Sequence, residues 1–308
     1  MSRYLERAEH TARLVDVNLN MMIDQGPKAS AEHQKMLLES LNIKLGDDAP
    51  PLEDAHAIAR LLTFDTSNSN SIVSCIMTAR ENARQVREEI SSEMYEQINR
   101  LYLKVRAPEV KEEWEAQSHE FYDEVKEGAH LFQGVTDDTI SHGQAWQFIR
   151  VGRDLERTGA TVRLLQAYCP ILALEEDAGA NYLDWVGLLK SCTSFEAYCK
   201  QYTAEMKPRR IIKFLLLDDE MPRSVRFCTE RIERVIDAIA EDTGRSAKDT
   251  RLLRVAGKLR ARLNFVTVDD ILEIGLVSFL GEIAALSAQI HSSLFSTYIR
   301  YNLDTQTN

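Results

Sequence analysis

Arg3-Tyr4-Leu5-Glu6-Arg7-Ala8-Glu9-His10-Thr11-Ala12-Arg13-Leu14 returns without a gap as Arg153-Asp154-Leu155-Glu156-Arg157-Thr158-Gly159-Ala160-Thr161-Val162-Arg163-Leu164. Seven of the twelve positions agree, Thr11/Thr161 and Arg13/Arg163 among them. At about 100° per residue, Arg3, Glu6, Arg7, His10 and Arg13 fall on an arc of roughly 120°, with Leu5, Ala8, Ala12, Val15 and Leu19 gathered opposite. A charged stripe backed by an apolar one is a helix pattern. The second copy sets Arg153, Glu156, Arg157 and Arg163 against Leu155, Val162 and Leu165. The match predicts an internal duplication centred on two Glu-Arg (ER) helices. A third pair, Glu233-Arg234, has weaker flanking agreement.

Working outward, proline, glycine and small polar clusters divide the rest into further helices, because they remove a donor or free the backbone. The predicted segments are 1–25, 30–45, 51–62 with Pro51 in its first turn, and 72–90. The last carries Ile72, Cys75, Ile76, Ala79, Ala83, Val86 and Ile90 at i, i+3, i+4, i+7 spacing. Further helices are predicted from 91 to Arg106, from Pro108 to about Phe132, and from Thr139 to Tyr168, stopping before Cys169-Pro170. Shorter ones follow at 181–204 and 208–217, then one behind Pro222 to about Glu241, and two at 246–264 and 268–300. Strand-like alternation is absent. The expected fold is all-α: a single multi-helix bundle over 1–308, with pseudo-repeat halves at about 1–136 and 137–308.

Composition bounds the function classes. With 44% hydrophobic residues, the 308-residue chain has material for a sizeable core, and disorder is not expected. A net charge of −11 lacks the basic footprint that nucleic acid requires. The five cysteines (Cys75, Cys169, Cys192, Cys199, Cys228) are scattered without a Cys-x-x-Cys pair, which suits reduced thiols and a cytoplasmic location. The charged opening Arg3-Tyr4-Leu5-Glu6-Arg7 is not a secretory signal. The apolar stretch 271–290 approaches membrane-spanning length, but Glu273 and Glu282 make a buried core helix the better reading and no membrane association is expected.

The ER stripes admit two readings. As a solvated face or a structural ion-pair network, they need no ligand, since Glu6 can reach both Arg3 and His10. As an anion site, arginine forks oriented by glutamates would take a carboxylate or phosphate. If the stripes face one another, Glu6 would pair Arg157 and Glu156 would pair Arg7, which charge reversal at one position and rescue at the other would test.

Arg3-Tyr4-Leu5-Glu6-Arg7-Ala8-Glu9, Ala79-Arg80-Glu81-Asn82-Ala83-Arg84, Ser91-Ser92-Glu93-Met94, Gly152-Arg153-Asp154-Leu155-Glu156-Arg157 and Phe214 to Asp218 running into Pro222-Arg223-Ser224-Val225-Arg226-Phe227 together resemble the bacterial alpha-E domain family. The resemblance is close to full length. It implies an all-helical protein with no established activity, found alongside circularly permuted ATP-grasp ligases and transglutaminase-like proteases in systems that make or trim amide-linked peptides. Family members usually carry a further hydrophobic and aromatic stretch before the first ER helix, so a late start or a truncation is expected here.

Other constellations are thinner. Glu53-Asp54-Ala55-His56 and Glu127-Gly128-Ala129-His130 are both Glu-x-x-His, the pair that di-metal carboxylate bundles draw from two helices, with Glu6 and Glu81 to fill the single positions. Arg80, Arg84 and Arg87 lie along one helix side, and Arg251, Arg254, Lys258 and Arg262 along another; Lys207-Pro208-Arg209-Arg210 forms a third basic cluster. Each is a solvated face or a docking surface for an acidic partner. No nucleophile elbow, dinucleotide fingerprint or Walker loop occurs. The expectation is therefore an accessory protein of an ATP-grasp-dependent peptide ligation or modification system. It would bind an anionic peptide at the ER residues Arg3, Glu6, Arg7, Arg13, Arg153, Glu156, Arg157 and Arg163, with Arg80, Glu81 and Arg84 beside them. It would need no cofactor of its own, and homo-oligomers are allowed. The alternative is an enzyme in its own right, using the ER residues or a di-metal centre at Glu53, His56, Glu127 and His130.

Overall fold

The computed structural model describes residues 1–22, 27–46, 49–172, 182–203, 205–244 and 251–299, and among these the regular structure is helical, without a strand. In chain order the helices are α1 (Ser2–Met22), α2 (Pro27–Ser40), α3 (Ala55–Phe64), α4 (Ile72–Gln85), α5 (Ser92–Val105), α6 (Val110–Ala116), α7 (Ser118–Thr139) and α8 (Gln144–Leu172). They continue as α9 (Tyr182–Ser191), α10 (Phe195–Tyr202), α11 (Pro208–Leu217), α12 (Val225–Asp242), α13 (Arg251–Asn264), α14 (Val268–Ile274) and α15 (Leu276–Leu294), with a π-turn at Phe295–Ile299. The chain is all-α, as the periodicity requires. The helix ends predicted at residues 25, 181, 204, 246 and 300 lie outside the described residues.

Several predicted boundaries move, each for a local reason. Helix α4 stops at Gln85 instead of reaching 90: Val86 is exposed, the Arg87-Glu88-Glu89 run stays at the surface, and only Ile90 returns to the core. The predicted 139–168 helix is wrong at both ends. Thr139 is the last residue of α7, and α8 runs through Pro170 to Leu172, because a proline in a final turn sacrifices one donor while its neighbours keep theirs. The segment after Pro108 breaks at Gln117 into α6 and α7. Helix α2 gives way at Asn42, which takes a φ of 53°. The 268–300 segment bends by 100° at Gly275, whose φ of 89° favours glycine, so the apolar stretch 271–290 is not one helix. No single described helix is long and apolar enough to cross a membrane, although α14 and the helix after it pass that test together by length and composition.

The chain divides into two compact units: Met1–Ile149 with Val186–Ser191, and Arg150–Trp185 with Cys192–Asn308. In unit 1, α1, α4, α5 and α7 form a closed ring in which each packs on the next, and α2, α3 and α6 lie against it. Its core includes Leu5, Ala8, Ile76, Met94, Ile98, Tyr122 and Phe132. Trp114 is fully buried and donates to the Tyr122 hydroxyl at 3.0 Å. In unit 2, α12 packs on α13 and α13 on α15, with α11 against α12, α13 and α14. Thr161 on α8 donates to the Arg223 carbonyl at 3.1 Å, tying α8 to the start of α12.

Several helices of the two units recur at near-constant spacing along the chain. Helices α3 and α11 are both ten residues long and begin 153 residues apart, and α4 and α12 share that spacing. Helices α6 and α14, and then α7 and α15, begin 158 residues apart. Local chemistry repeats too. Ser71 caps α4 by accepting from Ser74 N at 3.2 Å, and Ser224 caps α12 by accepting from Phe227 N at 3.0 Å. Four residues on, Cys75 and Cys228 each point Sγ back at a carbonyl six residues earlier, Ser69 at 3.7 Å and Pro222 at 3.4 Å. Lys104 holds Glu124, and 158 residues later Arg262 holds Glu282 at 3.0 Å.

Candidate functional site: two buried polar seams

The glutamates of both ER stripes are buried, with Arg153 and Arg157, while Arg3, Arg7, Arg13 and Arg163 are part-buried, so the stripes are not a solvated face. Glu6 is 2% exposed, Glu9 0%, Glu156 3% and Arg157 8%. Helix α1 sits between α4 and α7 in its ring, so both its apolar and its charged sides face other helices. Charge at such positions is tolerated only when it is paired and hydrogen-bonded.

In unit 1 the partners come mainly from α7. Arg13, one turn beyond Glu9, holds its carboxylate, and His130 Nε2 lies 3.6 Å from the same oxygen. Gln133, one turn further along α7, donates to Glu6 Oε2 at 3.4 Å. Asp16 receives Lys126 Nζ at 2.6 Å and the His119 ring. Lys126 is held by Asp123 on its other side at 2.6 Å, and its pKa is raised because these two carboxylates outweigh its partial burial. Arg7 donates to Asn70 Oδ1 at 2.7 Å and lies over the Tyr4 ring.

Unit 2 solves the same problem differently. Asp154, with no exposed surface, lies 3.1 Å from Arg231 Nε on α12 and 3.8 Å from Arg153 Nε. Burial raises its carboxyl pKa, against the pull of Arg231, Arg153, Arg157 and Arg150. Arg163 lies 3.9 Å from Glu156, and its guanidinium covers Gly159, where a β-carbon would stand 3.1 Å from Nη1. Position for position, Glu9 of α1 is matched by Gly159 of α8, and His130 and Lys126 of α7 by Ala288 and Ala284 of α15. The fold is thus compatible with either polar arrangement.

A family profile described as a predicted alpha-helical domain with a conserved ER motif, Alpha-E, matches residues 1–299. The chain belongs to the Alpha-E family. Similar proteins include uncharacterized proteins of Mycobacterium bovis and Mycobacterium tuberculosis, 24% identical over 312 residues that cover 96% of this chain and 34% of theirs. The chain therefore spans about a third of the length of the curated relatives it matches. No solved structure matches it.

Glu6, Glu156 and Arg157 of the ER pairs in this Alpha-E chain are thus buried, and most of the residues that surround them were not singled out from sequence. Glu9 could have been, since Glu9 and Arg13 stand at i, i+4. Asp154 is visible inside Arg153-Asp154-Leu155-Glu156, but Arg231, Lys126, His119 and Gln133 join only through folding. Several part-buried or exposed arginines are absorbed locally. Glu81 accepts twice from Arg84, at 3.0 and 2.8 Å, which lowers the Glu81 pKa and raises that of Arg84. Arg80 donates to Asn99 at 2.9 Å and covers Tyr102, and Arg87 lies over Tyr95. Arg209 pairs with Asp269, Arg210 with Glu205, and Arg262 with Glu282.

The four residues offered for a di-metal centre do not converge. His56 lies against Trp114 with ring centroids 4.6 Å apart and reaches Glu115 at 3.4 Å, whereas His130 reaches Glu9; Glu53 and Glu127 are exposed. Among the described residues no three His, Cys, Asp or Glu side chains gather as metal ligands. The cysteines form no disulfide, and burial pushes the Cys169 thiol up to about 11, far from a reactive thiolate.

Proposed function

We propose that the protein is an accessory, partner-binding component of an ATP-grasp-dependent peptide ligation or modification system, working in the cytoplasm. The observation that carries this reading is an apolar surface in unit 2. Phe265 (87% exposed), Leu272, Ile274 and Val277 (65%) are all exposed within thirteen residues, around the junctions of α13, α14 and α15. The repeat supplies a control. At the matching positions unit 1 has Ala107, the buried Trp114, Ala116 and His119, so this architecture does not require exposed apolar groups there. Such surfaces mark sites of protein association.

Exposed Asp269, Asp270 and Glu273 lie among these apolar residues. Like charge disfavours a second copy of the chain or an anionic membrane as occupant, and favours an apolar partner surface flanked by Lys or Arg. The ATP-grasp protein of the system is the proposed occupant, with a transglutaminase-like protease as a further component. The greater length of the mycobacterial relatives supports a module that works beside other chain. Reduced cysteines support a reducing compartment.

The test is co-purification and direct binding between this protein and the ATP-grasp protein of the same system, with Phe265→Asp and Val277→Asp as variants. Saturable binding that weakens at least about tenfold in either variant supports the reading. Absence of binding, or turnover of the peptide substrate by this chain alone, would overturn it.

A further inference from the structure

A groove of about 510 Å³ opens between α5 and α7 of unit 1, lined by Gln97, Arg100, Leu101, Lys104, Glu127 and His130 among others. That volume is within the range of small-molecule sites. Gln97 closes one end by donating to the Gly128 carbonyl at 3.2 Å, and the Lys104–Glu124 pair closes the other. Between these ends, Arg100 of α5 and Glu127 of α7 share the opening, and neither has an ion-pair partner among the described residues. Leu101 and Leu131 add an apolar lining. His130 stands half exposed at the groove, with Nε2 turned to the fully buried Glu9.

The second unit shows that the bundle does not need this arrangement. It keeps the pair at the groove's end as Arg262–Glu282, but replaces Glu127 with Ala285, His130 with Ala288 and Glu9 with Gly159. Gly128, whose missing side chain lets Leu101 pack to within 3.0 Å of where a β-carbon would stand, is matched by the buried Leu286. A buried carboxylate, an imidazole facing it and an anion on one wall are therefore present together in one copy and absent together from the other. Packing alone explains the copy that lacks them.

We propose that this groove binds a short zwitterionic peptide. Its carboxylate would take the Arg100 fork, its ammonium group would face Glu127, and an apolar side chain would rest on Leu101 and Leu131. His130, positioned by Glu9, would hydrogen-bond the peptide backbone. A cation and an anion held apart across one opening select a ligand with both charges over one with either alone. That the natural ligand is a peptide rests on the function proposed above; the site itself rests on the groove and its absence from the repeat.

The test uses the isolated full chain and isothermal titration calorimetry with the dipeptide alanyl-leucine, its N-acetyl form and its C-terminal amide. The expected result is saturable binding of the dipeptide with Kd on the order of 0.1–1 mM, weakened at least about tenfold by either cap. Arg100→Gln should erase the discrimination against the amide, and Glu127→Gln the discrimination against the acetyl form. Both positions are exposed, and matching circular dichroism melts would show that the variants fold. Absence of saturable heat up to about 10 mM dipeptide, or binding that neither variant alters, would overturn the proposal. Because no partner protein is present, this outcome is independent of whether the partner-binding reading holds.

Discussion

Arg231 Nε lies 3.1 Å from Oδ2 of Asp154, a carboxylate with no exposed surface, and so joins α12 to α8 inside unit 2. Neither Asp154 oxygen makes a hydrogen bond, so the arginines attract the charge without replacing its lost hydration. Burial raises the Asp154 pKa even with four arginines nearby, which means desolvation outweighs their attraction.

The first prediction follows from that direction. A carboxyl whose folded pKa is raised contributes stability that is present in full below its unfolded value of about 3.9, and is lost as pH rises through the folded value. Asp154→Asn should therefore cost most near pH 4 and progressively less toward neutral pH. Paired urea titrations of both proteins across pH 4–7 measure it; a gap that widens with pH would contradict the assignment.

Glu9 should behave as a core residue. Glu9→Ala leaves Arg13, whose side chain is 11% exposed, without its carboxylate, and we expect a loss of about 3 kcal/mol of stability. Lys104→Met should cost under about 1 kcal/mol, because both partners of that pair are nearly half exposed. Thermal melts of the two variants should separate clearly.

Gly159→Ala is expected to stabilise the protein by about 0.5 kcal/mol. Glycine within a helix is unfavourable by up to roughly 1 kcal/mol relative to alanine. The new methyl would press only on the far end of the flexible Arg163 side chain, which can move by the few tenths of an ångström required. A fall in melting temperature would show that Arg163 cannot give way.

The repeated serine caps should be worth similar amounts. Ser71→Ala and Ser224→Ala each remove an acceptor from the first turn of a long helix, and each should cost about 1 kcal/mol. Both serines are fully buried, so water cannot readily replace the lost oxygen. Denaturation midpoints of the two single variants, set against wild type, check the pair.

Much of the helical skeleton was legible in the residues. The ER stripe with its apolar backing predicted α1 and the middle of α8, and the i, i+3, i+4 run from Ile72 to Ala83 predicted α4. The breaks at Gln117 and Gly275 were not, since glutamine is a good helix former and a single glycine is tolerated inside a helix. Nor was the run through Pro170: a proline loses only the bond from its own nitrogen to the carbonyl four residues earlier, and in a final turn little helix follows to be disturbed. The groove was missed altogether: Arg100 and Glu127 stand on different helices, and nothing local distinguishes them from ordinary surface charges.

By itself the sequence determined helix content, the ER motif that marks the family, and the recurrence of that motif, because each depends on residues within a few turns of one another. Only the tertiary structure decided whether the charged stripes meet water or core. A helix pattern records which side chains share a face, but the dielectric and the partners met by that face come from other helices. Glu9, Asp154 and Arg100 are all common helix residues, and only packing makes the first two buried charges and leaves the third open in a groove.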